Sequence, residues 1–202
     1  MTATPGSDEP TPGRLVLVTG AQAAGKTTVG RALARSLPRA VHVDGDAIAA
    51  LVVSGAVEVE LPLTRDALEQ LFLRWNAAIA VAETYQRAGF DAVISDNVFG
   101  ELFEDFVDFV SPAPLHVVML CPDLDTLRAR DEGRPTRGYA GTITVEALAE
   151  GVADTPRAGL WLDTSGMSVE VTVAEVRARL DEALLDTTGP LTPPDGPGLE
   201  QE

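Results

Sequence analysis

The chain of 202 residues has little basic charge, few aromatics and almost no histidine or cysteine. Cys121 is its only cysteine, so no internal disulfide can form. It follows the apolar run Leu115–Leu120 and is expected to be a buried thiol. His42 and His116 are the only histidines, far apart and inside apolar segments, so a zinc signature is lacking and packed histidines are expected. No apolar run approaches the length of a bilayer span. The first residues, Met1–Gly13, have neither a basic start nor an apolar core. They do not read as a signal peptide, and a cytoplasmic location is the expectation. Acidic residues number 31 against 15 lysines and arginines, giving a net charge of −16 and arguing against a nucleic-acid surface.

What remains is a globular composition, 45% apolar, long enough for one substantial core. Residues 1–13 and 186–202 are rich in proline, glycine and polar residues and read as disordered tails around one domain, 14–185. Between them, strand and helix patterns alternate. Strands are expected at 14–19, 40–44, 91–95, 115–120 and 159–163. Helices are expected at 26–37, 46–53, 64–88, 99–110, 123–131, 144–153 and 169–185. Short apolar strands separated by helices imply an α/β fold with a parallel sheet covered on both faces.

Lys26 is the only lysine, and it lies in Gly20-Ala21-Gln22-Ala23-Ala24-Gly25-Lys26-Thr27, a full match to the Walker A phosphate-binding loop. The loop joins an expected strand to an expected helix, as the motif requires. Its backbone N–H groups and the helix N-terminus suit phosphates. Lys26 would reach the terminal phosphates, Thr27 would hold Mg²⁺, and Thr28 continues the turn. These features call for ATP with Mg²⁺.

A second signal follows the second strand, at Asp44-Gly45-Asp46. Ligands of parallel sheets bind beyond the C-terminal strand ends, the edge from which the phosphate loop also leaves. Asp46 is expected as the base that takes a hydroxyl proton, and Asp44 as the Mg²⁺-side group. Asp46 also reads as the N-cap of the next helix, and the two roles are compatible. Asp96 stands at a third strand end, to order Mg²⁺-bound water, to contact the acceptor substrate, or simply to make a turn. Asn97 is a further substrate candidate. On the long helix, Arg74 shares a turn with Trp75 and is a candidate to point into the cleft.

Arg128, Arg130, Arg134 and Arg137 form an arginine-rich segment, broken by Gly133, Pro135 and Gly138. It reads as a lid, about 128–143, whose cations neutralise the transferring phosphoryl group and whose closure excludes water. Arg130 and Arg134 lead, followed by Arg137 toward the substrate and then Arg128. Asp163-Thr164-Ser165-Gly166 ends the fifth strand, either against the adenosine or as a plain turn.

Together GAQAAGKTT at 20–28, VDGD at 43–46, the Arg128–Arg137 segment and LWLDTSG at 160–166 resemble the small P-loop kinases and phosphotransferases. The nearest likeness is to chloramphenicol phosphotransferase-like proteins; shikimate, gluconate and adenylylsulfate kinases are more distant. The resemblance implies a three-layer P-loop NTPase fold, a five-stranded parallel sheet of order 2-3-1-4-5, an Arg-rich lid and ATP–Mg²⁺ as donor. It places the base at Asp44 or Asp46, the phosphate lysine at Lys26 and the lid arginines at Arg130 and Arg134. The expected function is transfer of the γ-phosphate to a hydroxyl of a small molecule, without nucleic-acid or membrane partners, by a monomer or simple homodimer. The segment Val52–Leu73, largely apolar, is expected to shape the acceptor pocket for a bulky alcohol. A nucleoside or nucleotide kinase is one alternative. A non-enzymatic ATP-binding regulatory protein is another, but a GTPase is not, because its guanine-reading N-K-x-D segment needs a second lysine.

Overall fold

The computed structural model describes residues 11–133 and 142–185. The five expected strands form: β1 (Leu15–Gly20), β2 (Ala40–Asp44), β3 (Asp91–Ser95), β4 (Leu115–Leu120) and β5 (Leu160–Leu162). They make one sheet in the order β2-β3-β1-β4-β5, and every pairing is parallel. All residues of β1 and β4 are buried, which is why both read as nearly unbroken apolar runs. Register sets Asp44 beside Ser95, Val18 beside Ser95 and Gly20 beside Leu120. The ends that matter for a ligand therefore share one edge.

Successive β1 side chains point to opposite faces. Val16 and Val18 join a core with Leu33, Leu127, Leu160 and Val176. Leu15 and Leu17 join the other, with Trp75, Ile79, Phe103 and Phe106. The first core belongs to α1 (Lys26–Ser36), α5 (Leu124–Glu132), α6 (Val145–Ala153) and α7 (Val169–Ala178); the second belongs to α3 (Arg65–Gln86) and α4 (Phe103–Val110). Helices thus cover both faces of a three-layer α/β fold. Side-chain caps start several of them, with Thr64, Asp123, Thr144 and Ser168 each accepting a backbone N–H from the first turn.

Some boundaries differ from the sequence pattern. The helix expected at 46–53 is a short α2, Gly45–Ala49, capped by Asp44 rather than by Asp46. Beyond it Leu51 and Val53 stand 70% and 94% exposed, so no burial rewards a longer helix. The pattern 99–110 splits into a 3₁₀ turn, Gly100–Leu102, and α4. The pattern 169–185 likewise splits into α7 and a 3₁₀ turn, Leu180–Ala183. Cys121 is half-buried rather than buried, and its desolvated thiol is pushed up to about 11. The histidines pack as expected: His42 pairs with Ser95 Oγ at 3.0 Å and His116 Nδ1 lies 3.2 Å from Leu15 O. No described helix is long and apolar enough to cross a membrane. The tails at 1–10 and 186–202 and the lid segment 134–141 lie outside the described residues.

Candidate active site

The loop between β1 and α1 is shaped by backbone conformations that few residues adopt. Gly20 has φ +142°, and a Cβ there would stand 2.4 Å from Leu120 O. Gly25 has φ +100° and precedes α1 directly. Ala24 N–H donates to Ala21 O at 3.2 Å, closing the turn. Lys26 Nζ donates to Ala21 O at 2.8 Å, folded back over the loop where phosphates would sit.

A cleft of about 610 Å³ opens at this edge of the sheet. Gln22, Ala23, Ala24, Gly25, Lys26, Thr27 and Thr28 form its floor. Asp44, Asp46, Asp96 and Asn97 form one wall, and Arg130 with Thr164 the other. Most of the residues singled out from sequence therefore meet in one place. Gly20 and Ala21, expected to contact the nucleotide, do not line the cleft.

Local structure places the acids. Asp44 caps α2 by accepting the Asp46 N–H at 3.2 Å, and this leaves the Asp46 side chain exposed at the cleft. Asp96 is almost wholly buried, its side chain 2% accessible. Its Oδ1 accepts from Arg74 Nη2 at 2.6 Å and from Asn97 N at 2.7 Å. Among the described residues its Oδ2 has no hydrogen-bond partner. A Cβ on Gly45 would lie 2.1 Å from that oxygen, so only glycine between the two aspartates leaves room for the Asp96 carboxylate. Asn97 Nδ2 donates to Gln22 Oε1 at 3.2 Å, tying the third strand end to the phosphate loop. Ser95, which the sequence did not single out, donates to Lys26 O at 3.1 Å and pairs with His42. Gly30 on α1 permits this, since its Cβ would stand 2.1 Å from Ser95 Oγ.

Burial pushes the Asp96 carboxyl up to about 6, against the lowering influence of Arg74 and of the Asn97 N–H. A carboxyl raised in the fold binds its proton more tightly there than in the unfolded chain. Its stabilising contribution is full below about pH 4 and is lost as pH rises through about 6. Asp96→Asn, which mimics the protonated form but leaves Arg74 without its ion partner, should therefore gain in stability relative to the parent as pH rises from about 4 to about 8. Thermal unfolding of both proteins across that range should show the difference between them changing in the variant's favour toward about pH 8. A gap that is constant with pH would contradict the titration.

The arginines separate. Arg130 lies in the last turn of α5, within the helix expected at 123–131. Its Nη1 donates to Ala24 O at 3.0 Å and its Nη2 to Thr164 O at 2.9 Å, bridging the phosphate loop to the turn after β5. Arg128 turns away, pairing with Asp125 at 3.0 Å and with Glu146. Arg134 and Arg137 lie outside the described residues. Arg74 does not line the cleft as expected from sequence; it lies behind Asp96 as its ion partner.

One further feature escaped the sequence reading. Met167, Ser168, Val169 and Thr172 complete the wall beside Thr164. They read only as the capped start of an amphipathic helix, with no residue type that signals a ligand. Asp163 accepts the Ser165 N–H at 2.8 Å and so builds the turn itself. On the other side, Val52, Val53, Val59 and Leu73 are exposed and do not line the cleft, so the apolar segment does not form the expected pocket wall.

Among solved structures, an unliganded sugar kinase of Janibacter sp. HTCC2649 superposes with TM-score 0.63 at 16% identity, covering 85% of this chain and 96% of that one. The APS kinase of Mycobacterium tuberculosis, in complex with AMPPNP and APS, gives 0.59 at 18% identity, covering 85% and 99%. The tunicamycin resistance protein of Deinococcus radiodurans gives 0.59 at 15% identity, covering 90% and 99%. Similarity at this level establishes a shared fold. Among curated proteins none matches the chain. The family model described as AAA domain matches residues 15–155, from the first strand through the phosphate loop, the acid-bearing strand ends and α6. With that match across most of its length, the chain belongs to the AAA domain family.

Proposed function

We propose that the protein is an ATP-dependent small-molecule kinase that moves the γ-phosphate to a hydroxyl group. The observation that carries this reading is one cleft holding both the Lys26 loop and the Asp44–Asp46 strand end. A nucleotide switch needs no base for an acceptor hydroxyl; a transferase needs one facing the phosphate. Residues 14–185 are the transferase domain, with about 128–143 as its lid, acting in the cytoplasm as a monomer or simple dimer.

In this reading the loop N–H groups, Lys26 and Arg130 hold the phosphates. Asp46, free of the capping duty that occupies Asp44, accepts the hydroxyl proton. The acceptor oxygen bonds to the γ-phosphorus as the bond to the β–γ bridging oxygen breaks, and ADP leaves. Asn97 positions the acceptor, and Arg134 and Arg137 supply further positive charge to the phosphoryl group and the acceptor. Among the described residues no group of three or more acids, histidines or cysteines stands ready for a metal. Mg²⁺ does not need one, since one or two carboxylates plus phosphate oxygens suffice. Thr27 and Asp44 would hold it, with Asp96 as a more distant support, and when bound it would neutralise charge on the phosphates.

Arg130→Ala should weaken ATP binding by about 10-fold or more, because it removes a charged donor bridging two walls of the nucleotide site. Calorimetric titration with the non-hydrolysable analogue AMPPNP checks this; unchanged affinity would remove Arg130 from the site.

The acceptor class is open to direct test. The likeness to chloramphenicol phosphotransferase-like proteins and the fold shared with a tunicamycin resistance protein favour an antibiotic; the fold shared with a sugar kinase favours a metabolite. The fold shared with an APS kinase keeps a nucleotide acceptor in view. ADP release with Mg-ATP should be screened against chloramphenicol, other antibiotics, sugars, shikimate, gluconate and nucleosides. Acceptor-dependent release supports the kinase reading, and nucleosides as the sole acceptors would redefine it. ATP binding without any acceptor-dependent release would favour a regulatory ATP-binding module.

A further inference from the structure

We propose that Arg74 is a positioning residue, which sets the phosphate loop for nucleotide through Asp96, Asn97 and Gln22 without touching the ligand. The inference rests on the ATP site of the phosphotransfer reading and gives that site a residue outside the cleft.

The loop needs holding. Gly20 and Gly25 supply two of its positive φ angles, but Ala23 has φ +64°, and its Cβ disfavours that conformation. A residue persists there only when its surroundings fix it. Ala23 lies on the cleft floor, and the tether is on its neighbour: Gln22 Oε1 accepts from Asn97 Nδ2 at 3.2 Å.

The tether leads back to Arg74. Asp96 Oδ1 accepts from Asn97 N at 2.7 Å and from Arg74 Nη2 at 2.6 Å. One oxygen thus joins the residue that holds Gln22 to the cation behind it. On its other side the carboxylate is packed against Gly45, where a Cβ would stand 2.1 Å from Oδ2. Arg74 itself is on α3, outside the cleft lining. Among the described residues its Nε is buried without a partner. A buried ion pair with a donor left over is a poor source of stability, and apolar side chains often serve as well in its place. What the pair supplies is a fixed position for Asp96, and through it for the loop.

The test is calorimetric titration of the full chain with Mg–AMPPNP. Arg74→Met and Gln22→Ala should each weaken binding by about 10-fold, the loss expected when only about a tenth of the molecules hold the competent loop. The double variant should bind no more than ~2-fold more weakly than the worse single variant, because both cut one chain of contacts. In Ala23→Gly, where positive φ carries no steric cost, adding Arg74→Met should weaken binding by less than ~3-fold. Parent affinity in Arg74→Met, with only its melting temperature lowered, overturns the inference and leaves a purely structural ion pair. Losses that multiply in the double variant, or an undiminished loss in the Ala23→Gly background, overturn it as well. If Arg74→Met does not fold, Arg74→Lys takes its place: it keeps a charge beside Asp96 without the planar fork, and its several-fold loss is judged by the same comparisons. Failure of the parent to bind AMPPNP overturns the ATP site, and the inference with it.

Discussion

Lys26→Ala lowers acceptor-dependent turnover by roughly 10³-fold or more, with little change in thermal stability. The chain has no other lysine, so no neighbour of the same kind can substitute. Its ammonium folds over the loop to Ala21 O at 2.8 Å, a position from which it can swing to bound phosphate. Losing one preorganised donor to a developing oxyanion typically costs about 10²–10³ in rate. Losing the loop's cation as well raises that figure. The side chain is only partly buried and supports no core packing, so the fold should survive. Steady-state kinetics and a melting curve on the same preparation check both halves. Near-normal turnover would remove the phosphate loop from the chemistry.

Asp46→Asn slows transfer by about 10²–10⁴-fold while leaving ATP affinity nearly unchanged. The prediction turns on the different duties of the two aspartates. Asp44 accepts the Asp46 N–H and starts α2. Asn caps a helix about as well as Asp, so Asp44→Asn keeps α2 in place and tests the charge alone. Its expected effect is on the Mg²⁺ requirement rather than on transfer at saturating Mg²⁺. Kinetics of both variants across Mg²⁺ concentrations separate the roles. If Asp44→Asn abolishes transfer at saturating Mg²⁺ and Asp46→Asn does little, the assignments are reversed.

The centre of the sheet was legible because β1 and β4 are buried on both faces, and buried strands must be apolar. The phosphate loop was legible because glycine at positions 20 and 25 supplies positive-φ conformations that other residues rarely adopt. The strand-end acids were legible because a parallel sheet sends its C-terminal ends to one edge. The same pattern did not reveal side-chain direction. Arg74 sits at the position the sequence marked, yet it turns to the buried Asp96 because an unpaired carboxylate there would be far more costly. Glycine at 45 gave no local signal of its role, since its neighbour in space, Asp96, is distant in sequence. The wall from Met167 to Thr172 was hidden for a related reason: Ser168 is accounted for fully as the cap of α7. The apolar stretch after α2 read as a pocket, but among the described residues little packs on Leu51 or Val53.

The most direct test of phosphotransfer follows the label. Matched reactions should contain ATP labelled with ³²P at either the γ or the α position, Mg²⁺ and the best acceptor from the screen. Label from the γ position should appear in an ester of the acceptor, while label from the α position stays in ADP. Release of the γ label only as inorganic phosphate, with every acceptor class present, would contradict it.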